Sequence, residues 1–409
     1  MHLREAPDVT RAGLHSRSIL AGYDPQRLAD ARVCVVGLGA LGQNLVQNLA
    51  LCGVGHLTLV DFDEFERHNA TRSPFFPTSR ESALLGPGKA DVVGSRLLGC
   101  ATADPPDIRL APSLVQLAGD GVIRWADVVV SAVDSVNARA WLAERSRVHG
   151  RPLVEGGFSG PDLNFSAFAP GSGQPCYRCF NPGRRSSASC RQYAQEAEAA
   201  AIVPAIQTGA AVLGGLMAEA VIQVLHGRAD YGLRTYGNVR SGHFQTSQLA
   251  VHPECPGRHH VLPVLGEVAA PATLGELAAV IRHARTAGRI EPSGWIELAE
   301  PALITEACTG CLRLCRVQSS ESAWLAQPRC TGCGGRWPLG GGAVPQSVVL
   351  VPLEDPLPEL VAGTPTEQLG LRPGGAVTVL PPDEGPGLFL LSGPADTAWA
   401  PARPMPGGR

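Results

Sequence analysis

The chain has 409 residues, 44% of them hydrophobic, and a formal net charge of -3, enough apolar material for a large core and no basic excess of the kind that draws a protein to nucleic acid or an anionic membrane. No apolar run is read as long enough to cross a bilayer, and the opening MHLREAPDVTRAG lacks the basic-then-apolar layout of a secretory signal, so a cytoplasmic protein with neither membrane nor nucleic acid as partner is expected. In a reducing compartment the twelve cysteines, most of them in or beside Cys-x-x-Cys spacings, are expected to bind metal before they form disulfides.

After a polar arm, RVCVVG at 32–37 is a short β-branched run, followed by Gly37-Leu38-Gly39-Ala40-Leu41-Gly42 and the helical pattern QNLVQNLALCG. This predicts a strand, a glycine turn and a helix, with Gly37, Gly39 and Gly42 at a phosphate-binding bend. HLTLVDFD at 56–63 predicts a second strand, whose acidic end, Asp61 and Asp63, lies about 20 residues beyond Gly42, where a Rossmann unit holds a ribose. DIRLAPSL, WADVVVSAVD (125–134) and RPLVEGGF predict more buried strands. The expected fold class is therefore α/β, a Rossmann-like, doubly wound, mostly parallel sheet with its ligands at the carboxyl ends of the strands, where Gly37, Asp61, Asp63 and Asp134 fall. The polar, aperiodic stretch 171–200 reads as a crossover loop, and 202–226 as an apolar helix. A first domain is expected over 1–262 and a smaller α+β module over 263–392, built on a helix at 273–285 and strands such as SVVLVPL and GLFLLSG, with LRPGGAVTVLPP between them. The Pro/Gly-rich stretch 393–409 is expected to be a disordered tail.

A glycine turn alone fits any nucleotide-binding βαβ unit, so an NAD-dependent oxidoreductase competes at this point. The discriminating residues follow the second strand: Asp61-Phe62-Asp63-Glu64-Phe65-Glu66-Arg67-His68-Asn69-Ala70-Thr71-Arg72, then Gly88-Lys89-Ala90. With these the chain resembles the ThiF/MoeB/HesA family of adenylyltransferases, related to ubiquitin-activating enzymes, in which an acidic pair is followed by Asn-x-x-Arg and then by a lysine. The ordered match runs over about residues 14–227. It includes Leu14-His15-Ser16-Arg17-Ser18-Ile19, similar to the family's Tyr-x-Arg-Gln-Ile, and Asp134 at a strand end. The resemblance implies that ATP adenylates a carboxyl group, which requires cations around a triphosphate and an acid for Mg²⁺. It further implies that Asp63, with Asp61, holds the adenosine, Asn69 and Arg72 the phosphates, Lys89 the transition-state charge and Asp134 the magnesium. Arg17 would reach the ATP of a neighbouring subunit in a homodimer. Lys89 is the one lysine among the 34 basic residues, which marks a place where the broader fork of arginine does not fit. Where the family commonly has Gln after the arginine, this chain has Ser73, and that role is not carried over.

Cys176-x-x-Cys179 with Cys255 is similar to the family's structural zinc site, whose fourth cysteine is replaced here by Arg258. His259 or His260 would complete it, with His259 favoured, since imidazole suits zinc. Cys308, Cys311, Cys330 and Cys333 have zinc-ribbon spacing, expected to hold together a module with little core of its own. Cys190, followed by Arg191, is similar to the Cys-Arg of ThiF-like proteins and would be a thiolate acceptor for the activated acyl group, its pKa lowered by nearby arginines. The expected substrate is a small protein or peptide ending Gly-Gly. The alternatives are a peptide or small-molecule carboxylate of natural-product biosynthesis, and a non-catalytic scaffold.

Overall fold

The computed structural model describes residues 13–86, 88–171, 173–180, 205–255, 257–287, 293–307, 314–320, 333, 346–353, 357–382, 384–393 and 399–404. Eight strands come first: β1 (Arg32–Val36), β2 (His56–Val60), β3 (Asp107–Ala111), β4 (Val128–Ser131), β5 (Leu153–Ser159), β6 (Asp162–Phe168), β7 (Leu233–Asn238) and β8 (His243–Gln248). β9 (Val264–Ala269), β10 (Trp295–Ala307), β11 (Leu314–Ser320), β12 (Gln346–Pro352), β13 (Ala376–Leu380) and β14 (Gly387–Ser392) follow, and the last is β15 (Ala400–Pro401).

The first sheet runs β15-β3-β2-β1-β4-β5-β6-β7-β8. Its strands from β3 to β5 are parallel, as β-branched runs buried on both faces demand. Val33 and Val35 of β1 face one helical layer and Cys34 and Val36 the other. The first layer holds the helices Ala40–Leu51, Lys89–Leu98 and Gln207–Leu225, with Leu45, Leu49, Val93, Leu213 and Met217 in its core. The second holds Asp120–Trp125 and Val136–Val148, with Val122, Ile123 and Leu142 in its core.

The expectation of a mostly parallel sheet needs correction beyond these strands. β6, β7 and β8 continue from β5 antiparallel: tight turns at Gly160 and Gly242, both at positive φ, reverse the chain between β5 and β6 and between β7 and β8, while β6 and β7 are joined through the stretch that contains the helix Gln207–Leu225. The tail expected to be disordered also differs. Residues 399–402 lie along β3, with β15 antiparallel to it and the Trp399 side chain buried; 394–398 and 405–409 lie outside the described residues. A third correction concerns membranes: Gln207–Leu225 is long and apolar enough to span one. Its apolar residues Leu213, Met217 and Val221 are instead packed into the core beneath β4, β5 and β6.

The second sheet runs β11-β10-β13-β14-β9, with β12 also on β10. The helix Leu274–Ala287 covers it through Leu274, Leu277 and Ile281, against Ile296, Val351, Val377 and Phe389. The expected zinc ribbon at Cys308, Cys311 and Cys330 lies outside the described residues, as does most of the loop 171–200; Cys333 is exposed.

Candidate active site

Where the strand order reverses between β1 and β4, a cleft of about 370 Å³ opens at the carboxyl ends of the strands, the usual place for a ligand on such a sheet. It is lined by Gly37, Gly39, Asp61, Asp63, Asn69, Arg72, Lys89 and Asp134, among others. These residues come from four separate segments of the chain.

Gly37 turns the chain out of β1 at φ +93°, and a Cβ there would lie 2.7 Å from the Ala132 carbonyl oxygen, so only glycine fits the bend. A Cβ on Gly42 would lie 1.9 Å from the Gly37 oxygen. Gly42 is thus a packing residue behind the turn and does not line the cleft. Gly39 is the N-cap of the helix Ala40–Leu51 and supplies no side-chain cap, which leaves the first N–H groups of a twelve-residue helix open toward the cleft, as an anion requires. Gln43 secures the turn from beneath, donating to the Leu38 carbonyl at 2.8 Å and accepting from the Phe75 N–H at 3.1 Å. Ser73 packs against the same amide, 3.4 Å away, and is itself buried.

The acidic pair at the end of β2 divides its work. Asp61 is buried and accepts from the Leu38 N–H at 2.5 Å and the Asp63 N–H at 2.8 Å. Burial raises its pKa, while Lys89 and these two N–H groups pull the other way; its carboxylate orders the glycine turn. Asp63 is half-exposed and meets Lys89 Nζ at 2.8 Å. A bridge between Glu64 and Gly88 and the Lys89 N–H to Asp63 carbonyl bond of 2.9 Å bring this lysine to the acid. Asn69 is buried in the 3₁₀ turn Arg67–Thr71, its Oδ1 accepting from the Glu66 N–H at 2.9 Å. That contact leaves the Asn69 amide N–H groups free of this turn bond. Arg72 is braced by the His68 carbonyl at 2.9 Å.

Asp134 follows β4, exposed at the mouth, one residue before Ser135, which caps the helix Val136–Val148. Arg139, one turn into that helix, also lines the cleft and was not assigned from sequence. Its Nε donates to the Val133 carbonyl at 2.8 Å and its Nη1 lies 3.6 Å from Glu155. Its place in the first turn of the helix that follows Asp134, five residues on, is the signal that could have found it. Arg17 sits on the exposed helix Ser16–Leu20, outside this cleft. Cys190 lies outside the described residues.

Away from the cleft, Cys176, Cys179, Cys255 and His259 bring four donor atoms within 4.8 Å of one another. His259 Nδ1 lies 2.9 Å from the Gln174 carbonyl, which can only accept, so Nε2 is left to face the sulfurs, 3.6 Å from Cys176 and 3.5 Å from Cys179. Burial and the neighbouring Cys179 and Cys255 push the Cys176 thiol up to about 12. A cation would reverse that penalty, and a Cys₃His set of this compactness fits tetrahedral zinc. Arg258, at the place of the expected fourth cysteine, turns away to pair with Glu297 of β10 at 2.7 Å.

The ThiF family matches residues 15–257. The molybdopterin-synthase adenylyltransferase of Escherichia coli K12 is 29% identical over 269 residues, 62% of this chain and 98% of that protein. The sulfur carrier protein adenylyltransferase of Thermus thermophilus is 31% identical over 254 residues, 59% of this chain and 88% of that protein. Among solved structures, Escherichia coli MccB with ATP superposes with a TM-score of 0.51 at 19% identity, covering 61% of this chain and 76% of that one, which bears on the fold.

Proposed function

This chain belongs to the ThiF family and is an enzyme of the adenylyltransferase class, as its relatives are named; on that premise we propose that it activates the C-terminal carboxylate of a small protein ending Gly-Gly. The carboxylate oxygen attacks the α-phosphorus of ATP, a new acyl–O–P bond forms, and the bond to the bridging oxygen breaks with its electron pair leaving on pyrophosphate. The observation that carries this reading is the convergence of Asp63, Asn69, Arg72, Lys89 and Asp134 on one cleft beneath a glycine turn. Of these, Arg72 and Lys89 are the cations that a triphosphate calls for and a hydride transfer does not.

In this reading the glycine turn and the helix N-terminus seat phosphate, Asp63 the ribose hydroxyls, and Asn69 and Arg72 the triphosphate. Lys89 is paired with Asp63 and swings to the phosphates as ATP enters, where its charge meets the oxyanions that grow in the transition state. Asp134, exposed at the mouth, is the residue to hold Mg²⁺, which supplies further charge neutralisation. Arg17, outside the cleft of its own chain, is assigned to the cleft of a second copy in a homodimer. Cys176, Cys179, Cys255 and His259 would hold a structural zinc. Cys190 is the proposed acceptor if the acyl group moves on: its thiolate attacks the acyl carbon and AMP departs.

The test is ATP–pyrophosphate exchange, supplied in turn with proteins and peptides that do and do not end in Gly-Gly. Exchange confined to Gly-Gly acceptors is expected, with Lys89→Met lowering it by roughly 10²–10³. Exchange driven equally well by acceptors of other sequence would replace the carrier by a peptide or small-molecule acid. ATP binding without exchange on any acceptor would favour a scaffold.

A further inference from the structure

One wall of the cleft is not self-supporting. After β3 the chain passes Ser113, Leu114, Val115 and Gln116, all lining the cleft, as it enters a helix of a single turn, Val115–Ala118, that has no side-chain cap. An isolated turn of helix is unstable, and its last carbonyls need outside donors. They find one in the stretch that leads into β13 of the second sheet. Arg372 Nε donates to the Leu117 carbonyl at 2.8 Å. Gly370, at φ +71°, lies so close beneath the turn that a Cβ on it would be 1.7 Å from the Gln116 carbonyl oxygen, and one on Gly119 would be 2.2 Å from the Gly370 carbonyl oxygen. Behind this contact Arg124 donates to the carbonyls of Gly374 and Gly375 at 2.7 and 2.8 Å. Leu369 and Leu371, flanking Gly370, are anchored in the core of the second sheet.

We infer that residues 370–375 are a buttress of the nucleotide cleft and that Arg372 is a positioning residue, which holds Leu114–Gln116 in place for ATP without touching it. The inference rests on the adenylation reading for the identity of the ligand. It assigns the second sheet a part in nucleotide affinity through a contact that no nucleotide-binding motif of the first sheet contains. It also accounts for glycine at 370: the wall and the buttress meet backbone to backbone.

The experiment is calorimetric titration of the full-length protein with magnesium ATP, for the wild type and four variants. Arg372→Met keeps the bulk of the side chain and removes the donor; about fivefold weaker ATP binding is expected, the worth of one hydrogen bond. Arg372→Gln places an amide N–H where Nε stands and should bind within twofold of wild type. Glu367→Gln removes the ion-pair partner of Arg372, 3.0 Å away and exposed, and should change nothing. Gly370→Ala tests the wall through its second contact and should weaken ATP at least as much as Arg372→Met. Hydrogen exchange supplies a reading independent of affinity: amides 115–119 should exchange faster in Arg372→Met, with those of the helix Gln207–Leu225 unchanged. A folded Arg372→Met or Gly370→Ala that binds ATP like the wild type overturns the buttress, as does Arg372→Gln failing to rescue. A wild type that binds no ATP overturns the adenylation reading as well, so the two failures are separable.

Discussion

Asp120 opens the short helix Asp120–Trp125 and is enclosed with two basic neighbours: Arg145 reaches it with Nε at 3.1 Å and with Nη2, and His149 Nε2 lies 2.6 Å away. Burial alone would raise its pKa, but Arg145 and His149 outweigh that and hold the carboxyl well below the usual carboxylate range. Arg145 also donates to Thr378 of β13 at 3.3 Å, so the group stands where the two sheets meet. Asp120→Asn leaves Arg145 buried without its counter-charge and should cost about 3–5 kcal/mol, read as the shift in urea unfolding at neutral pH. A carboxylate whose folded pKa is depressed contributes fully above its ordinary value of 3.8 and loses that contribution as pH falls through the lower folded value. The difference between wild type and variant should therefore shrink on acidification from about pH 4 downward; a constant difference would mean that Asp120 acts by shape alone. Nothing in the sequence singles this aspartate out, whereas Lys89 announces itself by being the only one of its kind. Arg139 is intermediate, within reach of spacing yet indistinguishable from its neighbours until the helix is seen against the cleft.

The elements that carry the site are short, and each is held by something other than its own propensity. The glycine turn depends on the Asp61 carboxylate, the 3₁₀ turn on Asn69, and the knuckle Cys176–Cys179 on Arg147, which donates to the carbonyls of Gly171 and Pro175 at 2.7 and 2.8 Å. The knuckle lends itself to a metal measurement. His259→Ala removes one of four donors, and the purified protein should contain one zinc fewer per chain by elemental analysis, whereas His259→Cys should retain it, since both donors suit a tetrahedral structural site. An unchanged zinc content in His259→Ala, with the cluster intact, would remove this histidine from the ligand set. The choice between His259 and His260 was open in the sequence because adjacent histidines share one spacing. It is geometric in the fold: His259 alone of the two is braced by the Gln174 carbonyl with its second nitrogen among the sulfurs.

At the scale of the whole molecule, the first sheet is closed at one edge by a segment far from it in sequence. β15 covers β3, and Trp399 packs beside Trp125 with Arg109 over both rings at 5.6 and 5.5 Å. Trp399→Ala should destabilise the protein by about 3 kcal/mol in urea and, by loosening the strand over an unpaired edge, raise its tendency to aggregate, which light scattering would follow. What the sequence determined by itself was local: the strand, glycine turn and helix, the acid pair, the Asn-x-x-Arg and lysine in order, and the period of the helix at 274–287. These follow from spacing along a few turns of chain, and spacing is what a sequence displays. Only the tertiary structure decided the reversal from parallel to antiparallel beyond β5, the pairing of Lys89 with Asp63, the entry of Arg139, the capture of the tail by β3 and the propping of the cleft wall by Arg372. Each joins residues whose partner is chosen by which carbonyl, carboxylate or strand edge is left unmet once the elements pack, and no local period records that choice.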